Sequence, residues 1–184
     1  GLLLIEIDGV EAAVEKQKRT IVEKARANGA QEVIEARTAS ERDDLWTARR
    51  SAYGVFARLA PDCIVEDATV PVSHVPDMIR HIREIARRYG LRVGILAHAG
   101  DGNMHPLIAT DTRDKKEWQR VEAANREIFE LAMQYNGTLS GEHGIGLAKT
   151  DYLPMALDDA TRKFMARIKQ CVDPKGILNP GKFV

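Results

Sequence analysis

The chain has 184 residues, and its 27 Lys plus Arg balance 27 Asp plus Glu, so the formal net charge is zero. That balance excludes the basic excess a nucleic-acid partner would want, and 29% charged against 44% hydrophobic residues excludes intrinsic disorder. A chain of this length buries about 70% of its unfolded surface, so it folds without disulfide or metal support. The longest apolar runs, residues 2–5 and 94–97, are strand-sized and far short of the ~18–20 residues of a membrane span. No secretory leader pattern is present. Cys63 and Cys171 form no CxxC, which reads as two free thiols in a reducing, cytoplasmic compartment.

Leu2–Ile7 reads as a strand that starts after a single residue, an abrupt beginning that suggests a piece of a longer polypeptide. Gly9 breaks it, and Val10–Asn28 carries a partial apolar stripe at helical spacing before the Asn28-Gly29 stop. Gln31–Arg37 reads as a second strand. Ser40, with Asp43 three residues on, predicts the N-cap of a helix over Glu41–Leu59, ended by Pro61. Cys63–Val70 looks extended, and Pro71 prevents it from continuing as a central strand. Ser73 is the expected cap of the clearest helix, in which Val75, Met78, Ile79, Ile82, Ile85, Ala86 and Tyr89 share one face up to Gly90. Leu91–His98 and His105–Thr110 follow as strands. Residues 114–134 form an amphipathic helix closed by Asn136-Gly137, and a last helix is expected over Asp158–Cys171. Two adjacent strands fit an antiparallel pair, so the fold class is α+β.

Three of the five histidines lie in two glycine-rich loops. In His98-Ala99-Gly100-Asp101-Gly102-Asn103-Met104-His105, a strand, a glycine turn and a returning strand can fold both imidazoles toward one point. Gly100 and Gly102 would permit positive φ around Asp101. The second loop, Gly141-Glu142-His143-Gly144-Ile145-Gly146, adds a carboxylate and a third imidazole. Two neutral imidazoles and a carboxylate suit Zn, Mn or Fe with open coordination positions. If Glu142 completes that set, His143 points from another direction and is free to act as a base. On these residues alone a second reading stands beside the first: a polar hairpin end with solvated histidines.

The two loops resemble the C-terminal domain of FAD-linked oxidases of the vanillyl-alcohol-oxidase type, a group that includes glycolate oxidase, D-lactate dehydrogenase and D-2-hydroxyglutarate dehydrogenase. Leu45-Trp46-Thr47-Ala48-Arg49-Arg50 and the stretch from Asp173-Pro174-Lys175-Gly176 to Lys182 complete an ordered set along the chain. The resemblance implies a ferredoxin-like antiparallel sheet covered by helices over residues 1–135, the substrate cap, and a helical extension over 136–184 that packs toward an N-terminal flavin domain without counterpart here. It implies metal ligands at His98, His105 and Glu142, a base at His143, and a substrate-carboxylate arginine at Arg49, with Arg50 beside it as second candidate. Glu142, Asn179 and Lys182 fall on the flavin side. Tyr53 and Val65 stand where hydroxyglutarate-specific members carry Thr and Lys, which favours a short monocarboxylic acid.

The implied activity is oxidation of a 2-hydroxy acid, glycolate or D-lactate, to the 2-oxo acid with FAD as hydride acceptor and a divalent metal aiding deprotonation. The fragment alone is expected to be inactive. Expected partners are the small substrate, the flavin domain, other oxidase subunits through which the protein is peripheral to the inner membrane, and a second copy of the chain. The rival expectation is a non-catalytic assembly or docking subunit that keeps the fold.

Overall fold

Every residue of β4 (Asn103–Thr110) is buried, and the sheet is built around it. The computed structural model describes residues 1–182; the last two residues of the expected extension lie outside them. The chain divides into two compact units, Gly1–Ala52 and a second that begins at Tyr53.

In the second unit β4 pairs antiparallel with β3 (Arg92–His98) on one side, His98 lying opposite Asn103. On its other side it pairs with β1 (Asp62–Val65) and β2 (Ala68–Thr69). Val65 faces Leu107 and Ala68 faces Met104, so β1 and β2 keep one register and are a single strand line interrupted at Glu66-Asp67. Helix α3 (Val75–Tyr89) follows this line and α4 (Lys115–Gln134) follows β4, giving the β-α-β-β-α order of a ferredoxin-like layer. The place of a final strand is taken by one bridge, Thr69 to Thr138. The α+β reading therefore holds. Short helix α5 (Leu153–Ala156) and α6 (Asp159–Val172) form the C-terminal helical part.

The stripe read on α3 is its buried face: Val75, Met78, Ile82, Ile85 and Ala86 enter the core with Met104 and Ile108 of β4 and Ile128 and Phe129 of α4. Burying each of the larger side chains contributes about 1.5–3 kcal/mol. Gly90 ends α3 at φ 62°, and Asp114 caps α4 by accepting from the N–H groups of Lys116 and Glu117. Ser73 does not cap α3. A 3-10 turn over Val72–His74 leads in, and Pro76 lacks one of the N–H groups a cap would serve.

The first unit contains α1 (Glu11–Ala27) and α2 (Ala39–Phe56) up to Ala52, with no buried residue in either helix. The α2 cap is Thr38, not Ser40. Thr38 Oγ1 accepts from Glu41 N, and Glu41 Oε2 accepts from Thr38 N and Arg37 N, a reciprocal capping box. The strands expected over Leu2–Ile7 and Gln31–Arg37 join no ladder among the described residues. Apolar extended sequence becomes a strand only where a partner edge meets it, and Leu2, Leu3 and Ile5 are exposed. Polar tethers hold these segments instead, Glu6 to Arg42 and Trp46, and Glu35 to Lys18. Among the described residues no helix is long and apolar enough to cross a membrane.

Candidate metal centre

The β3–β4 hairpin brings the first two histidines together. Leu96 stands opposite His105, and His98 lies two residues further along the same face of β3. Their rings meet edge to face with centroids 5.5 Å apart. The turn closes through Asp101 N donating to His98 O. Gly102 has φ +76°, and a Cβ there would sit 1.9 Å from the Val70 carbonyl oxygen. Gly100, expected to share this role, has no positive φ.

The second loop is held by Asp67, at the break between β1 and β2. Its fully buried carboxylate accepts from Ser140 Oγ, Gly141 N, Glu142 N and His143 N. Ser140 Oγ in turn accepts from Gly144 N. The carbonyl of Asp67 takes Lys149 Nζ at 2.6 Å, and Leu139 O takes the same ammonium at 2.8 Å. One residue thus fixes both ends of the segment that carries Glu142 and His143. Gly141 lies against the strands, where a Cβ would come 2.3 Å from Thr69 Oγ1.

Ligand atoms of His98, His105 and Glu142 all fall within 4.8 Å of one another. Glu142 Oε1 is 3.0 Å from His105 Nε2 and 3.7 Å from His98 Nε2. His143 does not point away: its ring stacks on His105 at 4.8 Å, and its Nε2 is also 3.7 Å from Glu142 Oε1. Arg49 is half-buried on α2 in the first unit, and the neighbouring Arg50 donates to Thr47 Oγ1. Asn179, at φ 48°, receives Lys182 Nζ at 3.4 Å, so these two meet in the C-terminal turn.

The electrostatics follow from burial. His105 Nδ1 lies 3.3 Å from the Glu66 carbonyl, which can only accept, so a proton on Nδ1 satisfies that carbonyl and leaves the Nε2 lone pair free to coordinate. Burial also holds this imidazole below its ordinary pKa, keeping it neutral. In that tautomer a lone pair and a carboxylate oxygen face each other at 3.0 Å, an arrangement that a cation between them relieves. In a tetrahedral zinc site with nitrogen and oxygen ligands the ligand atoms stand roughly 3.3 Å apart. His98 and Glu142 are half-exposed, and their ligand atoms already stand 3.7 Å apart. The donor set fits a divalent metal.

Beneath the centre lies a buried network that sequence reasoning missed. Burial pushes the Glu66 carboxyl up to about 7. Asn125 Nδ2 donates to it at 2.6 Å, and Lys149 Nζ stands 3.9 Å away. Burial would also raise Asp67, but the Ser140 hydroxyl and three loop N–H groups hold it at about 2. The available signal was two adjacent acids inside an otherwise apolar extended run.

Residues 1–183 match the family described as FAD linked oxidases, C-terminal domain. The chain belongs to this family. It is 45% identical over 182 residues to glycolate oxidase subunit GlcD of Bacillus subtilis, covering 99% of this chain and 39% of that protein. Against glycolate oxidase subunit GlcD of Escherichia coli K12 the identity is 36%, over 99% of this chain and 36% of the relative. The mitochondrial D-lactate dehydrogenase [cytochrome] of Arabidopsis thaliana is 30% identical over 184 residues, 99% of this chain and 32% of that protein. This FAD-linked oxidase domain thus spans well under half the length of these relatives.

Proposed function

We propose that this domain is the substrate-binding part of an FAD-dependent 2-hydroxy-acid oxidase or dehydrogenase, of glycolate or D-lactate type. The observation that carries the proposal is the convergence of His98, His105 and Glu142 on one point, with His143 stacked beside them. Relatives named as glycolate oxidase subunits and as a D-lactate dehydrogenase support it.

Two imidazole Nε2 atoms and one carboxylate oxygen would hold the metal, Zn, Mn or Fe. When bound, such a cation supplies Lewis acidity toward the oxygens of a 2-hydroxy acid. The flavin, bound mainly outside this chain, supplies the hydride acceptor. His143 takes the hydroxyl proton at Nε2 as the α-hydrogen leaves with its electron pair, a contribution typically worth ~10²–10⁴ in rate. Arg49, with Arg50 next to it, is assigned the substrate carboxylate because the guanidinium fork matches it bidentately. Asn179 and Lys182 are assigned to the flavin side, as is Glu142 through its neighbours.

The division into a cap over 1–135 and an extension over 136–184 belongs to the same proposal. So do cytoplasmic placement, assembly with other oxidase subunits, for which the relatives' naming as subunits is support, and pairing with a second copy.

The test is anaerobic flavin bleaching of the full-length protein with glycolate, D-lactate and D-2-hydroxyglutarate in parallel. Rapid bleaching by a monocarboxylic acid, slowed at least about a hundredfold in His143→Ala with flavin content intact, is expected. Bleaching by none of the three contradicts the assignment.

A further inference from the structure

Pro106 occupies the middle of the central strand, a place from which proline is usually excluded because it cannot donate to a ladder. The register identifies the bond it withholds. With Val65 opposite Leu107 and Ala68 opposite Met104, Glu66 faces Pro106. Glu66 N donates to Pro106 O at 2.9 Å, so this is one of the antiparallel pairs that exchange two hydrogen bonds. Pro106 cannot return the second. On its other side Pro106 faces Ile95 across a pair that asks nothing of its nitrogen, so β3 loses no bond.

The cost of that proline falls on one group, the main-chain carbonyl of the buried Glu66. A buried carbonyl needs a donor, and the group within reach that can donate is His105 Nδ1 at 3.3 Å, from the residue just before the proline.

We propose that Pro106 is a positioning residue: by withholding its N–H from the Glu66 carbonyl it makes that carbonyl the partner of His105 Nδ1–H, and so holds the imidazole with its Nε2 lone pair facing Glu142. The tautomer follows from the register and the 3.3 Å contact, whether or not a metal binds. Its consequence for metal affinity rests on the reading of His98, His105 and Glu142 as a metal centre. An alanine at 106 would restore the ladder bond and release the ring.

The experiment uses full-length protein labelled with 15N-histidine, stripped of metal and held at pH 8. Imidazole 15N shifts are assigned to His105 by difference from His105→Gln. The parent is expected to carry the proton on Nδ1, and Pro106→Ala to shift His105 toward the Nε2–H form. A zinc titration against a chromophoric chelator should show affinity falling about 10–100-fold in Pro106→Ala, the range typical of losing an outer partner of a ligand histidine. The melting temperature should stay level or rise, because a ladder bond is gained; a purely structural proline would lower it. An Nε2–H tautomer in the parent overturns the proposal even if Pro106→Ala fails to fold, and so does a variant that keeps both tautomer and affinity. Parent protein with the Nδ1–H tautomer but no zinc binding overturns the metal reading and leaves the role of Pro106 intact.

Discussion

His105 Nε2 and Glu142 Oε1 face each other at 3.0 Å, and both are acceptors when the ring carries its proton on Nδ1, the tautomer that satisfies the Glu66 carbonyl. In that tautomer, and without a cation, this contact is repulsive. Glu142→Gln places an amide N–H donor there instead. The metal-free variant should therefore be as stable as its parent or more stable, by about 0.5–1.5 kcal/mol. It should also lose the stabilisation that zinc gives the parent, about 2.7 kcal/mol at a hundredfold excess over Kd and seen as a rise in melting temperature. Thermal unfolding with and without zinc checks both signs.

Asp67 holds the second loop as an ion. Its carboxyl titrates at about 2, below its ordinary 3.8, so its stabilisation is present above about 3.8 and is lost as pH falls through about 2. Asp67→Asn should cost about 1–2 kcal/mol at pH 7, with allowance for screening. The gap between parent and variant should close between pH 4 and pH 2 in denaturant titrations.

Glu66 has the opposite sign. Its folded pKa of about 7 lies above the ordinary 4.5, so its contribution is complete below about 4.5 and fades as pH rises through about 7. The parent should lose on the order of 2 kcal/mol across that window relative to Glu66→Gln, in which the buried position stays neutral. Denaturant midpoints for the pair at pH 5 and pH 8 measure the difference.

The hairpin turn separates its two glycines. Gly102→Ala combines a positive φ with an overlap on the Val70 carbonyl and should cost at least about 2 kcal/mol. Gly100→Ala meets nothing within 4 Å and should stay within about 0.5 kcal/mol of the parent. Unfolding free energies of both variants test this.

What the sequence made legible followed from local rules. The α3 stripe, the Gly90 stop and the two histidine loops all declare themselves within a few residues. The reach from one loop to the other, and the structures that hold them, do not. Asp67 finds Ser140 at 73 positions' separation and Lys149 finds the Asp67 carbonyl at 82, so neither partner leaves a periodic trace. The stretches 2–7 and 31–37 have strand composition, but pairing is a property of a neighbour and not of composition. At the start of α2, Thr38 and Ser40 are both plausible caps, and the choice was made by Glu41, which sits three residues after Thr38. Pro106 was visible in the sequence, but its meaning required the register.

The most direct test is metal analysis of full-length protein purified without chelators, beside a His98→Ala/His105→Ala variant. One divalent ion per chain in the parent, absent from the folded variant together with 2-hydroxy-acid oxidation, is the predicted result. A parent that is fully active with no bound ion would contradict the account.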